Sequence, residues 1–144
     1  MITVGFTNGP VLPSPVSGSM GACVTFVGRT RPEDHPTLGQ LTSLFYTAQQ
    51  PLALATMRAL CDDLVVAHDL DSITLRHAIG DVPLGEASVE VIVHATHRAE
   101  AFAACEACMH TLKARVPIWK KEKYACGETW SAQTTPIATR GPTR

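Results

Sequence analysis

All four lysines of this chain lie between positions 113 and 123, in the segment Lys113-Ala-Arg-Val-Pro-Ile-Trp-Lys-Lys-Glu-Lys123. Because the whole chain carries a net charge of only −1, these lysines create a local positive field rather than a generally basic surface. Such a field can bind an anionic ligand, and it can lower the pKa of one amine enough to make that amine reactive. The alternative is a solvated basic patch, against which the apolar run 116–119 argues.

Lys113 and Lys120 are the first candidate pair for chemistry. The sequence predicts a helix over about 98–115, and this helix ends because Val116 precedes Pro117 and cannot comfortably stay helical. The chain then continues extended, so the bend can bring the two amines toward one pocket. Repulsion between them and burial beside Trp119 would depress one pKa. Lys113 could instead only complement the dipole at the end of the helix.

Two further groups could bind an anion. His97 and Arg98 stand where a predicted strand meets the second helix, and the backbone N–H groups of a helix start bind anions. Arg98 could add a bidentate phosphate contact, whereas His97 could equally be a capping or packed histidine. Arg29 and Arg31 follow a buried strand that ends at Gly28, and they are either solvated or ligands of the same anion.

Two motifs have metal or redox spacing, but core packing explains the first better, and the second lacks the frame that a metal site needs. Cys105 and Cys108 have CxxC spacing, but they fall within the apolar stripe of the second helix, whereas a redox pair belongs at a helix start. A zinc site would also need a second pair of ligands. His94 and His97 have HxxH spacing without the glutamate and helical frame of a metalloprotease. We therefore expect no metal and no cofactor.

The elements that must position these residues form an α+β domain. Apolar runs and alternation predict strands at 2–6, 22–27, 41–47, 73–79 and 88–96, and a final strand pair around Cys126-Gly127. A first helix opens at Pro51 and runs to about His68. The second is expected to bury Phe102, Cys105, Met109 and Leu112. A turn-rich link is predicted over 80–86, and a loop over 29–39.

Composition limits the class of protein. At 144 residues, with 45% hydrophobic and 17% charged residues, the chain is large enough for one folded domain. We expect an N-terminal strand and Pro-rich linker over 1–20, the domain over 21–132, and a disordered tail over 133–144. The near-neutral charge argues against nucleic-acid binding, and no apolar run suits a signal peptide or a membrane span. Five scattered cysteines favour free thiols in a reducing cytoplasm.

Taken together, three segments resemble the large, catalytic subunit of molybdopterin synthase. They are Gly21-Ala-Cys-Val-Thr-Phe-Val-Gly-Arg-Thr-Arg31, His97-Arg-Ala-Glu-Ala-Phe102 and Leu112-Lys-Ala-Arg-Val-Pro-Ile-Trp-Lys-Lys-Glu122. The resemblance covers roughly residues 21 to 130, and the last segment is its most specific part. It implies an α/β-hammerhead-type fold with a mixed or antiparallel sheet and two main helices.

The resemblance also implies an activity. Such an enzyme transfers sulfur from the C-terminal Gly-Gly thiocarboxylate of a small ubiquitin-like subunit to cyclic pyranopterin monophosphate, forming the molybdopterin dithiolene. Its core is a homodimer of large subunits within a heterotetramer. The essential lysines fall on Lys113 and Lys120, of which we prefer Lys113 for proton transfer and Lys120 for anchoring, although the roles could be reversed. Substrate-binding positions fall on Phe26, Arg29, Thr30, Arg31, His97, Arg98, Lys121 and Glu122, with the His-Arg pair contributed by the other protomer.

The chain departs from the family pattern at both ends. The part before Gly21 is short and Pro-rich, and the part after Trp130 lacks an arginine that some members place near the pocket. Two other classes of function stay open at this stage. One is a non-catalytic module that holds a pterin or nucleotide phosphate, or docks a ubiquitin-like tail. The other is a CxxC thiol oxidoreductase.

Overall fold

The computed structural model describes residues 1–131, which form one mixed sheet with two helices packed on one of its faces. The strands are β1 (Ile2–Asn8), β2 (Ala22–Arg29), β3 (Asp34–His35), β4 (Gly39–Ala48), β5 (Leu70–Pro83), β6 (Ala87–Ala95), β7 (Ile118–Tyr124) and β8 (Gly127–Trp130). The helices are α1 (Gln50–His68) and α2 (Arg98–Arg115). The α+β prediction is confirmed. The tail predicted over 133–144 lies outside the described residues.

The sheet runs in the order β2-β6-β5-β4-β7-β8, and these neighbours are antiparallel. β1 adds the one parallel pairing among the described strands, with Ile2 opposite Ile73 and Asn8 opposite Ile79. The long strand β5 therefore pairs with β1 along its first part and with β4 along its last. The turn-rich link predicted over 80–86 is wrong in part, because β5 continues to Pro83 through its pairing with β4.

Both helices have the bounds that their sequence signals indicate. Pro51 lies in the first turn of α1, and Asp69 ends that helix in the left-handed conformation at φ 52°. α2 ends at Val116, which is extended and donates its N–H to the Leu112 carbonyl at 3.1 Å. The expected apolar stripe of α2 is wrong at Phe102, which is 62% exposed. Small residues take its place in the core, since Ala101 and Ala104 are fully buried.

A main core fills the space between the helices and the sheet, and a smaller one lies around β4. Cys105 and Cys108 belong to the main core, which confirms that this CxxC pair is a packing feature. All five cysteines are free thiols. No helix among residues 1–131 is both long and apolar enough to cross a membrane.

The Pro-rich segment between β1 and β2 runs along β6. The Val11 N–H donates to the Ala87 carbonyl at 2.8 Å, and the Val11 side chain is buried. Further along, the Ser14 N–H donates to the fully buried Glu90 at 2.6 Å. Arg76 also pairs with Glu90, and its guanidinium donates to the Leu12 carbonyl at 2.8 Å. A buried ion pair therefore fixes this segment against the sheet.

Candidate active site

A cavity of about 370 Å³ opens between the end of α2 and the central strands. Its volume falls within the range of about 300–1,000 Å³ that small-molecule sites occupy. Seven of the ten predicted site residues line it, namely Phe26, Arg29, Thr30, Arg31, Lys113, Lys120 and Glu122. The remaining three, His97, Arg98 and Lys121, are not among its lining residues.

The bend at Pro117 brings Lys113 and Lys120 to the same cavity, as the sequence predicts. Lys113 lies in the last turn of α2, and the chain then leaves the helix through the extended residue Val116. β7 returns antiparallel to β4, with Lys120 directly opposite Tyr46 in the register. The sheet therefore fixes Lys120 at the cavity, while Lys113 reaches it from the helix above.

Alternation along β7 divides the remaining charged residues between two faces. Glu122 lies two residues after Lys120 and lines the cavity with it. Lys121 instead contacts Glu128 at 3.3 Å and lies 4.9 Å from the centre of the Trp130 ring. Lys123 contacts Asp81 at 3.0 Å. Lys121 therefore has its partners outside the cavity, unlike Lys120 and Glu122.

Lys120 is a lysine with a perturbed pKa at this site. Burial lowers its pKa, because desolvation disfavours the charged ammonium. The carboxylate of Glu122 raises the pKa, the charge of Lys113 lowers it, and Glu33 and Arg31 add smaller opposing effects. Burial together with two neighbouring cations outweighs the two carboxylates, so the Lys120 amine loses its proton more readily than an ordinary lysine.

Residues 29–31 reach the cavity from the end of β2. Thr30 is buried, donates its hydroxyl to the Val82 carbonyl at 3.3 Å, and exchanges backbone hydrogen bonds with Glu86 and Gly85. Arg29 donates to the Gly85 carbonyl at 3.0 Å. Thr30 thus anchors the loop, while the exposed Arg31 presents its charge to the cavity. Phe26, which is 39% exposed, forms part of the wall.

His97 and Arg98 lie at the opposite end of α2 from Lys113. Fifteen residues of helix separate Arg98 from Lys113, which is about 22 Å along the helix axis at 1.5 Å per residue. His97 makes no side-chain capping hydrogen bond and is exposed, so neither alternative that the sequence left for it, capping or packing, is observed. Within one protomer, this pair does not reach the lysines.

Several residues that line the cavity were not predicted from the sequence. Tyr46, His77 and Ser88 are buried polar residues, and Glu33 and Met109 complete the wall beside them. His77 alternates with Ile73 and Leu75 along β5, so its position in the sequence indicates only that it is buried. Its polarity at a buried position was the available signal, because a buried polar side chain requires a partner or a ligand.

The described residues contain no group of three or more His, Cys, Asp or Glu side chains arranged to hold a metal ion. Cys23 and His94 come within 3.6 Å on neighbouring strands, but this exposed pair has no third ligand among residues 1–131. The chemistry that the cavity itself supports is binding of an anion at cationic groups, combined with proton transfer at an amine.

The profile of the MoaE protein family matches residues 11–115. Among curated proteins, the molybdopterin synthase catalytic subunit of Aspergillus niger is 40% identical over 119 residues, covering 81% of this chain and 64% of that protein. The Arabidopsis thaliana protein of the same name is 40% identical over 110 residues, covering 76% and 54%. The chain thus spans less than two thirds of the length of these relatives.

Solved structures share the fold. Molybdopterin synthase from Staphylococcus aureus matches with a TM-score of 0.77 and 25% identity, covering 91% of this chain and 95% of that one. The complex of subunits 1 and 2 of molybdopterin-converting factor from Helicobacter pylori matches with a TM-score of 0.73 and 17% identity, covering 92% of each chain. The second likeness bears on the fold alone.

Proposed function

The chain belongs to the MoaE protein family, and from this premise we propose that it is the sulfur-transferring large subunit of a molybdopterin synthase. Its substrate would be cyclic pyranopterin monophosphate. The sulfur would come from the C-terminal Gly-Gly thiocarboxylate of a small ubiquitin-like subunit. The observation that carries this proposal is the convergence of Lys113, Lys120 and Arg31 on one cavity of small-molecule size.

The cavity meets the electrostatic needs of such a reaction. The substrate carries a phosphate, which Arg31 and Lys113 can bind as cations at the exposed side of the cavity. In each transfer the thiocarboxylate sulfur bonds to a substrate carbon, which loses an oxygen as water or as the opened phosphate ester. Water then cleaves the bond between the sulfur and the tail's acyl carbon, so that the sulfur stays on the substrate and the tail leaves as a carboxylate with the oxygen of water. An ammonium group nearby stabilises the negative charge that develops on the leaving carboxylate and on the opened phosphate.

Proton transfer during these steps requires a group whose pKa lies closer to neutrality than that of an ordinary lysine. Lys120 fits this role, because burial and the neighbouring cations lower its pKa. We therefore assign proton transfer to Lys120 and anchoring of the phosphate or tail to Lys113, the reverse of the assignment that we preferred from sequence. Glu122, beside Lys120 on the same face of β7, keeps this depression moderate.

A second copy of the chain would complete the site. His97 and Arg98 are exposed at the far end of α2, and they do not line the cavity that contains the lysines of their own protomer. Their role as substrate ligands therefore requires a homodimer in which each protomer supplies this pair to the other's lysines. With two small subunits the assembly would be a heterotetramer. Free cysteines and the near-neutral charge suit a cytoplasmic enzyme that binds no nucleic acid.

A single-turnover assay tests the proposal. The purified chain would be mixed with a thiocarboxylated small subunit and the cyclic pterin, and dithiolene formation followed. Product formation that requires both lysines would support the enzyme. A measurable complex with the small subunit but no product would instead favour the non-catalytic module. Loss of activity on changing Cys105 or Cys108 to Ser, without loss of folding, would favour a thiol enzyme.

A further inference from the structure

The cavity differs in charge between its exposed side and its floor. Arg29, Arg31, Glu33 and Lys113 are exposed, so these charged groups lie at the mouth, with Lys120 and Glu122 partly buried between mouth and floor. The buried side chains that form the floor include three uncharged polar ones from neighbouring strands, Tyr46 on β4, His77 on β5 and Ser88 on β6. The floor residues have no part in the mechanism above.

The hydrogen bond of His77 determines which of its nitrogens carries the proton. Nδ1 lies 2.7 Å from the carbonyl oxygen of Ala78, which can only accept, so Nδ1 is the protonated nitrogen. It is the one side-chain hydrogen bond that His77 makes within residues 1–131. Nε2 therefore keeps an unshared electron pair, and His77 is one of the residues that line the cavity.

The surroundings hold the ring neutral and fixed. Burial lowers the pKa of His77 to about 4, despite the opposing effect of the Ala78 carbonyl, so the imidazole is uncharged at pH 7. The ring also packs edge-on against Tyr46, with centroids 4.8 Å apart at an angle of 79°. A neutral acceptor is thus held in one orientation at the floor.

Such a floor favours an uncharged ligand group over an anionic one. An anion gains no cation there and loses its hydration, whereas an uncharged ring with an N–H group gains a hydrogen-bond acceptor. We propose that His77 Nε2 accepts a hydrogen bond from a ring N–H of an uncharged nitrogen heterocycle, and so positions the pterin of the substrate with its phosphate at the cationic mouth. This assignment of His77 as a positioning residue rests on the proposed function for the identity of the heterocycle.

Two substitutions separate this role from simple packing. In His77→Asn the amide N–H₂ can still donate to the Ala78 carbonyl from the position of Nδ1, but nothing remains at the position of Nε2. In His77→Gln the side chain is long enough to return an acceptor oxygen near that position. The pair is matched, because both variants replace the ring by an amide and both give up the edge contact with Tyr46.

Binding would be measured by calorimetry with two probes, a phosphate-free reduced pterin and inorganic phosphate. We expect His77→Asn to weaken pterin binding about tenfold and His77→Gln to restore most of it, with phosphate binding unchanged in both. Equal pterin affinity in wild type and His77→Asn would overturn the inference. So would absence of pterin binding to wild type, or an equal loss of pterin binding in both variants.

A spectroscopic measurement on the wild-type protein needs no variant to fold. With ¹⁵N-labelled histidine, the Nε2 resonance of His77 should shift when the pterin is added and stay in place when phosphate is added. An Nε2 resonance that ignores the pterin contradicts the inference. The turnover assay keeps the two proposals apart. If wild type forms product and His77→Asn binds the pterin and turns over equally well, only the role of His77 is contradicted. If the pterin binds through His77 but no product forms, only the proposed enzymatic activity is contradicted.

Discussion

Lys113 in the last turn of α2 lies close enough to Lys120 on β7 for its charge to lower the pKa of the Lys120 amine. The two residues are seven positions apart, and the bend at Pro117 places them on one cavity from two different elements. This relationship lets one cation bind an anion while it makes the other ammonium a stronger acid, so that a larger fraction of that amine is deprotonated near neutral pH.

Removal of either amine should stop turnover and leave the fold intact. We expect Lys113→Ala and Lys120→Ala each to reduce the single-turnover rate by at least about 10²-fold, the scale of losing one charge-stabilising group. Lys123→Ala is the matched control, because Lys123 lies on the same strand as Lys120 but pairs with Asp81. Thermal unfolding of all three would check folding. Near-wild-type activity in Lys113→Ala or Lys120→Ala would remove that lysine from the mechanism.

Glu122→Gln should shift the pH dependence of the reaction to lower pH. Burial is the main reason that the pKa of Lys120 is lowered, and the Glu122 carboxylate opposes it. Replacing this carboxylate by a neutral amide removes the opposing charge, so the pKa falls further. Single-turnover rates would be measured across pH for wild type and Glu122→Gln. The change in rate that reflects titration of Lys120 should occur at lower pH in the variant. A shift in the other direction would contradict the assignment.

Mixed dimers test whether Arg98 acts across the protomer boundary. A Lys113→Ala protomer paired with an Arg98→Ala protomer would contain one site lacking both residues and one site with both intact. At subsaturating substrate, where each variant alone should be nearly inactive, random exchange of the two should therefore restore about one quarter of wild-type activity, since half of the dimers are mixed. The recovery should be measured at subsaturating substrate, because Arg98→Ala is expected chiefly to raise KM. No recovery after verified exchange would place Arg98 outside a shared site.

His77 should make the protein less stable as the pH falls from 6.5 toward 4. Its pKa is about 4 in the folded state against 6.5 for a free side chain, so the unfolded chain binds the proton first. The stability that burial of the neutral ring allows is fully present above pH 6.5, and about 3 kcal/mol of unfolding free energy is lost by pH 4. Urea unfolding of wild type and His77→Gln across this range would measure it. Equal pH slopes in the two proteins would show that His77 is not buried as a neutral ring.

The buried pair of Arg76 and Glu90 should stabilise the fold without taking part in turnover. Arg76→Met leaves the Glu90 carboxylate buried without its cation, which costs about 3–5 kcal/mol of unfolding free energy. Glu128→Gln removes an exposed partner of Lys121 and should cost at most about 1 kcal/mol. Denaturant unfolding compares the two losses. Equal losses would mean that Glu90 is not held as a buried carboxylate.

The pair of Arg76 and Glu90 should also make the stability of the fold depend on pH in the acidic range. Burial raises the pKa of Glu90, but hydrogen bonds from Ser14 and Arg76 together lower it below the ordinary value of 4.5. The stability that they provide is therefore present above pH 4.5 and is lost as the pH falls through the lower folded-state value. Glu90→Gln should show a weaker fall in stability below pH 4.5 than wild type.

The elements that local patterns specify were predictable. Pro51 marks the first turn of α1, Val116-Pro117 ends α2, and alternation at β5 and β6 marks strands. Phe102 was misplaced because the packing of α2 against the sheet brings Ala101 and Ala104 inward. The extension of β5 to Pro83 was missed because strand length here depends on pairing with β4, a contact distant in sequence.

The sequence by itself determined the cationic segment, its proline bend and the pair of lysines, because these depend on residue type and spacing along the chain. Only the tertiary structure decided which of these charged side chains line the cavity and which have partners outside it. Strand register turned Lys120 and Glu122 into the cavity and left Lys121 with Glu128. Burial selected Lys120 as an amine with a lowered pKa and made His77 a neutral acceptor. Both effects arise from desolvation by residues far away in sequence, which spacing along one chain does not encode.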